Sequence, residues 1–142
     1  MLEGLRRLEF LVVQDMFLSQ SAELAHVVLP AASFLEQEGT FTNTERRVEL
    51  LRAALTGPEG ARPDWQIVAD LLARLDSGAT YPDAASVFRE ITVAVPFYEG
   101  LSYTRLQEGG IPWPCPAGHP GRCDGLVTLD MVKRPLEFAV SG

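Results

Sequence analysis

The chain has 142 residues, 46% apolar and 22% charged, a balance that fits a globular protein able to bury one core. Its net charge of -7 argues against nucleic acid as a partner, because a phosphate-binding surface needs a basic excess. No apolar run approaches the ~20 residues that cross a bilayer, the first residues lack a signal-peptide order, and 2 cysteines make no disulfide scaffold, so a reducing, cytoplasmic setting is expected.

In chain order, residues 8–14 read as a buried strand, since Leu8, Phe10, Leu11, Val12 and Val13 are nearly continuous. Residues 15–25 read as a short helix on the spacing of Phe17, Leu18, Ala22 and Ala25. A second strand follows over 26–29, stopped by Pro30. Strand, crossover and strand make a parallel, right-handed unit. Such a unit needs further strands, so the chain reads as the back part of a larger protein. Residues 31–39 can hold a turn or two of helix ending at Gly39.

Two extended segments, 40–43 and 47–52, flank Thr44, Glu45 and Arg46, and the Gly- and Pro-rich stretch 56–63 is a linker by composition. Asp64 is placed to cap a helix over 65–75, with Trp65, Val68, Leu72 and Leu75 as its apolar stripe. A further helix is expected over 83–95, capped by Asp83, with Val87, Ile91 and Val95 on its inner face. Beyond Pro96 the chain reads as irregular, apart from a possible strand over 136–140. The fold class is therefore α/β: part of a Rossmann-like parallel sheet over 1–75, then a helical, loop-rich extension over 76–142.

The common catalytic signatures are absent from the sequence: no Gly-rich phosphate loop, no nucleophile elbow, no His-Glu-x-x-His. His26 reads as a histidine satisfied by a backbone partner at a strand edge. Cys115, His119 and Cys123 offer three candidate ligands where structural zinc wants four, so one buried and one exposed cysteine is the better reading. Asp15 lies just past the first strand, where open α/β sheets place ligands, with Gln37 after the second strand and Asp64 after the linker. A carboxylate offers two in-plane acceptors to the adjacent N–H donors of a guanine edge, and a side-chain amide suits a ribose or base edge. Each residue also has a plainer reading: Asp15 as a helix cap, Gln37 as a solvated surface residue, Asp64 as an N-cap.

At these positions the chain resembles the prokaryotic molybdopterin oxidoreductases that carry a bis-molybdopterin guanine dinucleotide cofactor. The matching residues are Leu11-Val12-Val13-Gln14-Asp15, the stretch from Ala22 to Pro30, Glu36-Gln37-Glu38-Gly39, Thr40 to Arg47, and Asp64-Trp65-Gln66-Ile67. Trp113-Pro114-Cys115-Pro116 with His119-Pro120-Gly121 resembles the formate-dehydrogenase branch in particular. The resemblance implies that Gln14, Asp15, Gln37 and Asp64 hold one guanine dinucleotide arm of a molybdenum or tungsten cofactor. Gln37 stands where relatives often have lysine, so a neutral hydrogen bond replaces a charge contact. His26 replaces a common aspartate and Pro112 a common glutamine.

In that family an upstream cysteine quartet holds a [4Fe–4S] cluster, and a cysteine or selenocysteine ligates the metal. Neither has a counterpart in these residues, so no catalytic residue and no metal ligand is expected here. The resemblance thus implies a piece of a formate-oxidising enzyme, inactive alone and partnered by the rest of the enzyme or a companion subunit. A non-catalytic assembly module, with self-association through an exposed sheet edge, is the alternative.

Overall fold

The structure, a computed structural model, describes residues 2–75 and 78–118. The chain folds as two compact units, one of Met1–Glu38 with Arg52–Tyr81, the other of Gly39–Leu51 with the described part of Pro82–Gly142. Both contain helix and strand, so the class is mixed α/β.

In the first unit, helix α1 (Leu2–Arg6) is a short exposed turn, with Arg7 donating to Glu3 at 2.7 Å. Strand β1 (Val12–Asp15) pairs in parallel with β2 (Val27–Pro30), in register from Val12 opposite Val27 to Asp15 opposite Pro30. His26 accepts from the Leu11 N–H through Nδ1 at 3.0 Å, the backbone partner expected of it. The strand is shorter and barer than its sequence suggested: Phe10 is 65% exposed and Val12 44%. Their apolar run announces a covered sheet, but only two strands form this one among the described residues.

The expected crossover helix is not formed. The Asp15 carboxylate accepts from the Phe17 N–H at 3.2 Å and the Ser19 hydroxyl at 2.7 Å, and Ser19 N–H donates to Phe17 at 2.8 Å. These local bonds hold a tight turn in place of the first helical turn. What remains of helix is a 3-10 turn over Ala22–Leu24. Residues 31–39 likewise carry no helix; Ser33 and Glu36 close a turn instead. Ala31 and Ala32 are buried there, where Arg62 bonds Pro30 and Ala32 as a parallel bridge beside β2.

Helix α2 (Asp64–Arg74) follows, but Pro63, not Asp64, is its N-cap residue, and Asp64 is the first helical residue. The stripe is also shifted. Ile67 is its buried residue at 6% exposure, whereas Val68 and Leu75 are 49% and 77% exposed.

The second unit is built on an antiparallel hairpin of β3 (Gly39–Thr42) and β4 (Arg47–Leu51), to which β5 (Ile111–Pro112) adds alongside β4. Asn43 shapes the hairpin loop by accepting from Glu45 and Arg47 N–H, both at 2.9 Å. Arg46 turns the chain at a φ of 61°. Helix α3 (Ala84–Ala94) is capped by Asp83 as expected, with Ser86 completing a reciprocal capping box. Its inner residues are Ser86, Phe88 and Thr92, one position along from the expected row of Val87 and Ile91.

The stretch after Pro96 is more ordered than its composition suggested, with a 3-10 turn over Pro96–Tyr98 and helix α4 (Tyr103–Gln107) capped by Ser102. Val48, Phe88, Leu101, Leu106, Ile111 and Cys115 form the core, and Phe88 meets Tyr98 and Tyr103 ring to ring. Cys115 is fully buried, while Cys123, His119 and the expected strand over 136–140 lie outside the described residues.

Candidate functional site

The polar group of most interest in the first unit forms where β1 ends and α2 begins. Gln14 is the penultimate residue of β1, Gln37 follows the Ser33–Glu36 turn, and Asp64 opens α2. The Gln14 amide donates to Oδ1 of Asp64. The Gln37 amide donates to Oδ2 of Asp64 at 3.4 Å, and the Asp64 N–H donates back to Oε1 of Gln37 at 3.4 Å. Pro63 offers no side-chain cap, so Gln37 serves one of the unpaired N–H groups that open a helix. Asp64 also carries its charge in the first turn of α2, where the helix dipole favours an anion.

Three of the four residues expected at the site are thus joined in one hydrogen-bonded group. Asp15 is not part of it. Alternation along a strand sends neighbouring side chains to opposite faces, so Asp15 points away from the face that Gln14 presents. Its carboxylate is engaged by the Ser19 hydroxyl, the Phe17 N–H and, to a smaller extent, the Met16 N–H. These donors, Ser19 first, hold its carboxyl below the ordinary value of 3.8 against a small opposing desolvation. Asp15 shapes the loop after β1. Ser19 is the partner that sequence reading missed, and its signal was the Asp-x-x-x-Ser spacing of a side-chain-closed turn.

The loop that Asp15 closes presents Met16, Phe17 and Leu18 to solvent at 49%, 74% and 73% exposure. Three successive large apolar side chains thus stand in the open on this loop. A separate cavity of about 330 Å³ lies between the end of β2 and the face of α2 that carries Ile67, Asp70, Leu71 and Arg74. Arg62 is at its rim, paired with Asp70. Asp64 does not line it, so the cavity and the amide–carboxylate group are distinct features. Among the described residues, no three His, Cys, Asp or Glu side chains are placed to hold a metal ion. No helix among them is long and apolar enough to cross a membrane.

The protein-family model of molybdopterin oxidoreductases matches residues 1–74. The chain is 49% identical over 115 residues to a formate dehydrogenase alpha subunit of Methanocaldococcus jannaschii, covering 80% of this chain and 17% of that protein. It is 47% identical over 127 residues to the assimilatory nitrate reductase catalytic subunit of Bacillus subtilis, covering 84% and 18%. Among solved structures, acetylene hydratase from Pelobacter acetylenicus aligns with a TM-score of 0.58 at 20% identity, over 77% of this chain and 15% of that one. The chain therefore spans less than a fifth of the length of these relatives. Family membership implies a molybdopterin cofactor. The sequence, read against the family model and these relatives, places the chain in the molybdopterin oxidoreductase family.

Proposed function

We propose that the chain supplies part of the wall that holds the guanine dinucleotide arm of a molybdopterin cofactor, in a formate dehydrogenase-like enzyme. The supporting observation is the convergence of Gln14, Gln37 and Asp64 at the carboxyl end of β1, where parallel sheets present ligands. The donor set fits the group. Asp64 offers two carboxylate oxygens in one plane, each already holding an N–H, which is the pattern that guanine N1–H and N2–H present. Asp15 fits less directly and contributes by fixing the loop after β1.

The cofactor, when bound, supplies the redox chemistry at its molybdenum or tungsten centre. The residues of this chain bind and orient: Asp64 accepts from the base, Gln37 keeps Asp64 at the head of α2, and Gln14 completes the polar rim. The β1–β2 pair is read as two strands of a Rossmann-like sheet in a 1–75 cofactor domain, completed by the remainder of the enzyme or by a companion subunit in the cytoplasm. A [4Fe–4S] cluster belongs to that remainder. Calorimetry with guanosine diphosphate tests the reading: the chain binds it, and Asp64→Asn abolishes the heat. A wild-type chain that gives no heat removes the proposal.

A second reading, an assembly module, rests on the outer edge of β1. The Leu11 carbonyl accepts from His26 and Val27 and the Asp15 carbonyl from Ala31, so odd-numbered residues face β2. Val12 and Gln14 then turn their backbone N–H and C=O groups to an edge that no other strand among the described residues pairs. No lysine or proline guards that edge, the usual protection against pairing with another strand. Sedimentation as a dimer with no nucleotide binding would favour this reading.

A further inference from the structure

Leu11 and His26, one position ahead of the paired Val12 and Val27, are bonded to each other in both directions. The His26 N–H donates to the Leu11 carbonyl at 2.8 Å, and the Leu11 N–H donates to Nδ1 of His26 at 3.0 Å. A parallel ladder would place that second bond on a carbonyl ahead of His26. The chain there is instead the 3-10 turn Ala22–Leu24 with its cap Ala25. The imidazole thus stands in for a strand carbonyl. The Phe10 ring stacks on it, with centroids 5.8 Å apart and planes at 30°. His26 is exposed and Leu11 half-buried, so protons reach the ring while the fold stays intact.

A ring nitrogen that accepts carries no hydrogen, so this bond fixes the neutral tautomer with its hydrogen on Nε2. The imidazolium carries hydrogen on both nitrogens and has nothing to accept with. We propose that His26 is a pH-sensitive clasp on the first rung of the parallel pair, closed as the neutral imidazole and opened by protonation. Imidazole changes its charge between about pH 5 and 8. The open form holds one proton more, so the clasp adds stability at the upper end of that range and loses it as pH falls. The stack on Phe10 survives, because an aromatic face also attracts a cation. What is lost is the hold on Leu11. The charged groups on the adjoining segments are Arg6, Arg7 and Glu9 ahead of β1, Glu23 in the 3-10 turn and Asp15 at the far end of β1. Arg7 is paired with Glu3, and Asp15 is engaged by Ser19 and Phe17. Among the described residues no carboxylate pairs with the imidazole to hold it in its charged form.

The test is the exchange protection of the Leu11 amide in the full chain, read by nitrogen-15 NMR at about pH 8 and about pH 5, either side of the imidazole titration. Each rate is divided by that of an unstructured chain at the same pH. The wild type is expected to lose about two- to ten-fold in protection at the lower pH, the worth of one ordinary hydrogen bond. The Val13 amide, inside the ladder, should not change. His26→Asn puts an oxygen where Nδ1 stands and accepts at either pH, so it is expected to keep its protection. His26→Phe keeps the stack and removes the acceptor, so it is expected to show the low value at both. Equal wild-type protection at the two pH values overturns the clasp. So does a fall in His26→Asn as large as in wild type, since the imidazole is then not its cause. Imidazole nitrogen spectra that place the hydrogen on Nδ1 at the higher pH overturn it as well, and the two wild-type measurements decide even where a variant fails to fold.

Discussion

Gln37 and Asp64, 27 positions apart, bond each other twice: the Gln37 amide donates to the Asp64 carboxylate, and the Gln37 carbonyl accepts the Asp64 N–H, each at 3.4 Å. The second bond does for α2 what a capping side chain does from the residue before a helix, a service Pro63 cannot give. Gln37→Ala is therefore expected to lower stability by about 1 kcal/mol, in the range of a lost N-cap. Urea denaturation followed by helical circular dichroism measures it. An unchanged midpoint would show that the pair carries no weight in α2.

Asp15 predicts a pH dependence. Its carboxyl is more acidic in the fold than the reference value of 3.8, chiefly through the Ser19 hydroxyl and then the Phe17 N–H. A lowered folded pKa gives stability that is present above the unfolded value and lost as pH falls through the folded one. Ser19→Ala removes the largest cause, so the carboxyl should move up toward 3.8 and acid unfolding should begin at higher pH. Carboxyl-carbon NMR titration of Asp15 in both proteins reads the shift, and identical titration curves would contradict it.

Gly100 is fixed by closeness. A Cβ there would stand 2.6 Å from the Pro116 carbonyl oxygen, 2.7 Å from that of Cys115 and 2.9 Å from its sulfur. The Gly100 N–H donates to the Cys115 carbonyl at 2.8 Å, so the two segments cannot part without losing a bond. Gly100→Ala is expected to cost about 1–3 kcal/mol, as overpacked sites do. Chemical denaturation gives the value. A variant as stable as wild type would mean that this packing yields easily.

Arg46 takes a φ of 61° in the β3–β4 loop without being glycine. Its backbone carbonyl accepts from the Trp113 N–H at 2.7 Å, so the loop must keep this conformation. Arg46→Gly removes the steric penalty of the left-handed region and is expected to raise stability by about 1 kcal/mol. A fall in Tm on substitution would show that the guanidinium outweighs the strain.

The open edge of β1 predicts behaviour in solution. If that edge pairs chains, Val12→Lys places a charge on it and should shift a concentrated sample from dimer to monomer in analytical ultracentrifugation. A wild type that is monomeric throughout leaves the second reading without support.

Much of this architecture was legible in the residues, for identifiable reasons. The strands ending in Asp15 and Pro30 carry β-branched runs bounded by turn formers, and Asp83 stands before an apolar periodicity, so pattern and capping agreed. Residues 15–25 misled because their apolar spacing suits a helix, while the Asp15 and Ser19 side chains satisfy the backbone locally and close a turn first. In α3 the inner row contains Ser86 and Thr92, and a row holding polar residues loses to its all-apolar neighbour in any reading by hydrophobicity. Thr92 is tolerated inside because its hydroxyl donates to the Arg89 carbonyl at 2.8 Å.

The site shows the same division. Gln14 stands near a strand end, Asp64 at a helix start and Gln37 just after a turn, positions that sequence can place. The face to which Asp15 turns depends on strand phase relative to Gln14 and on Ser19, which spacing to the other site residues does not reveal.

The chain enters the second compact unit at Gly39, leaves it after Leu51, and returns only at Pro82. During synthesis the β3–β4 hairpin therefore emerges from the ribosome well before α3 and β5, the elements that pair with or pack on it. Nascent hairpin surface around Val48 must wait, unshielded, while some thirty further residues of the other unit are translated. A pause in translation within that interval is thus the moment at which a chaperone has most to protect.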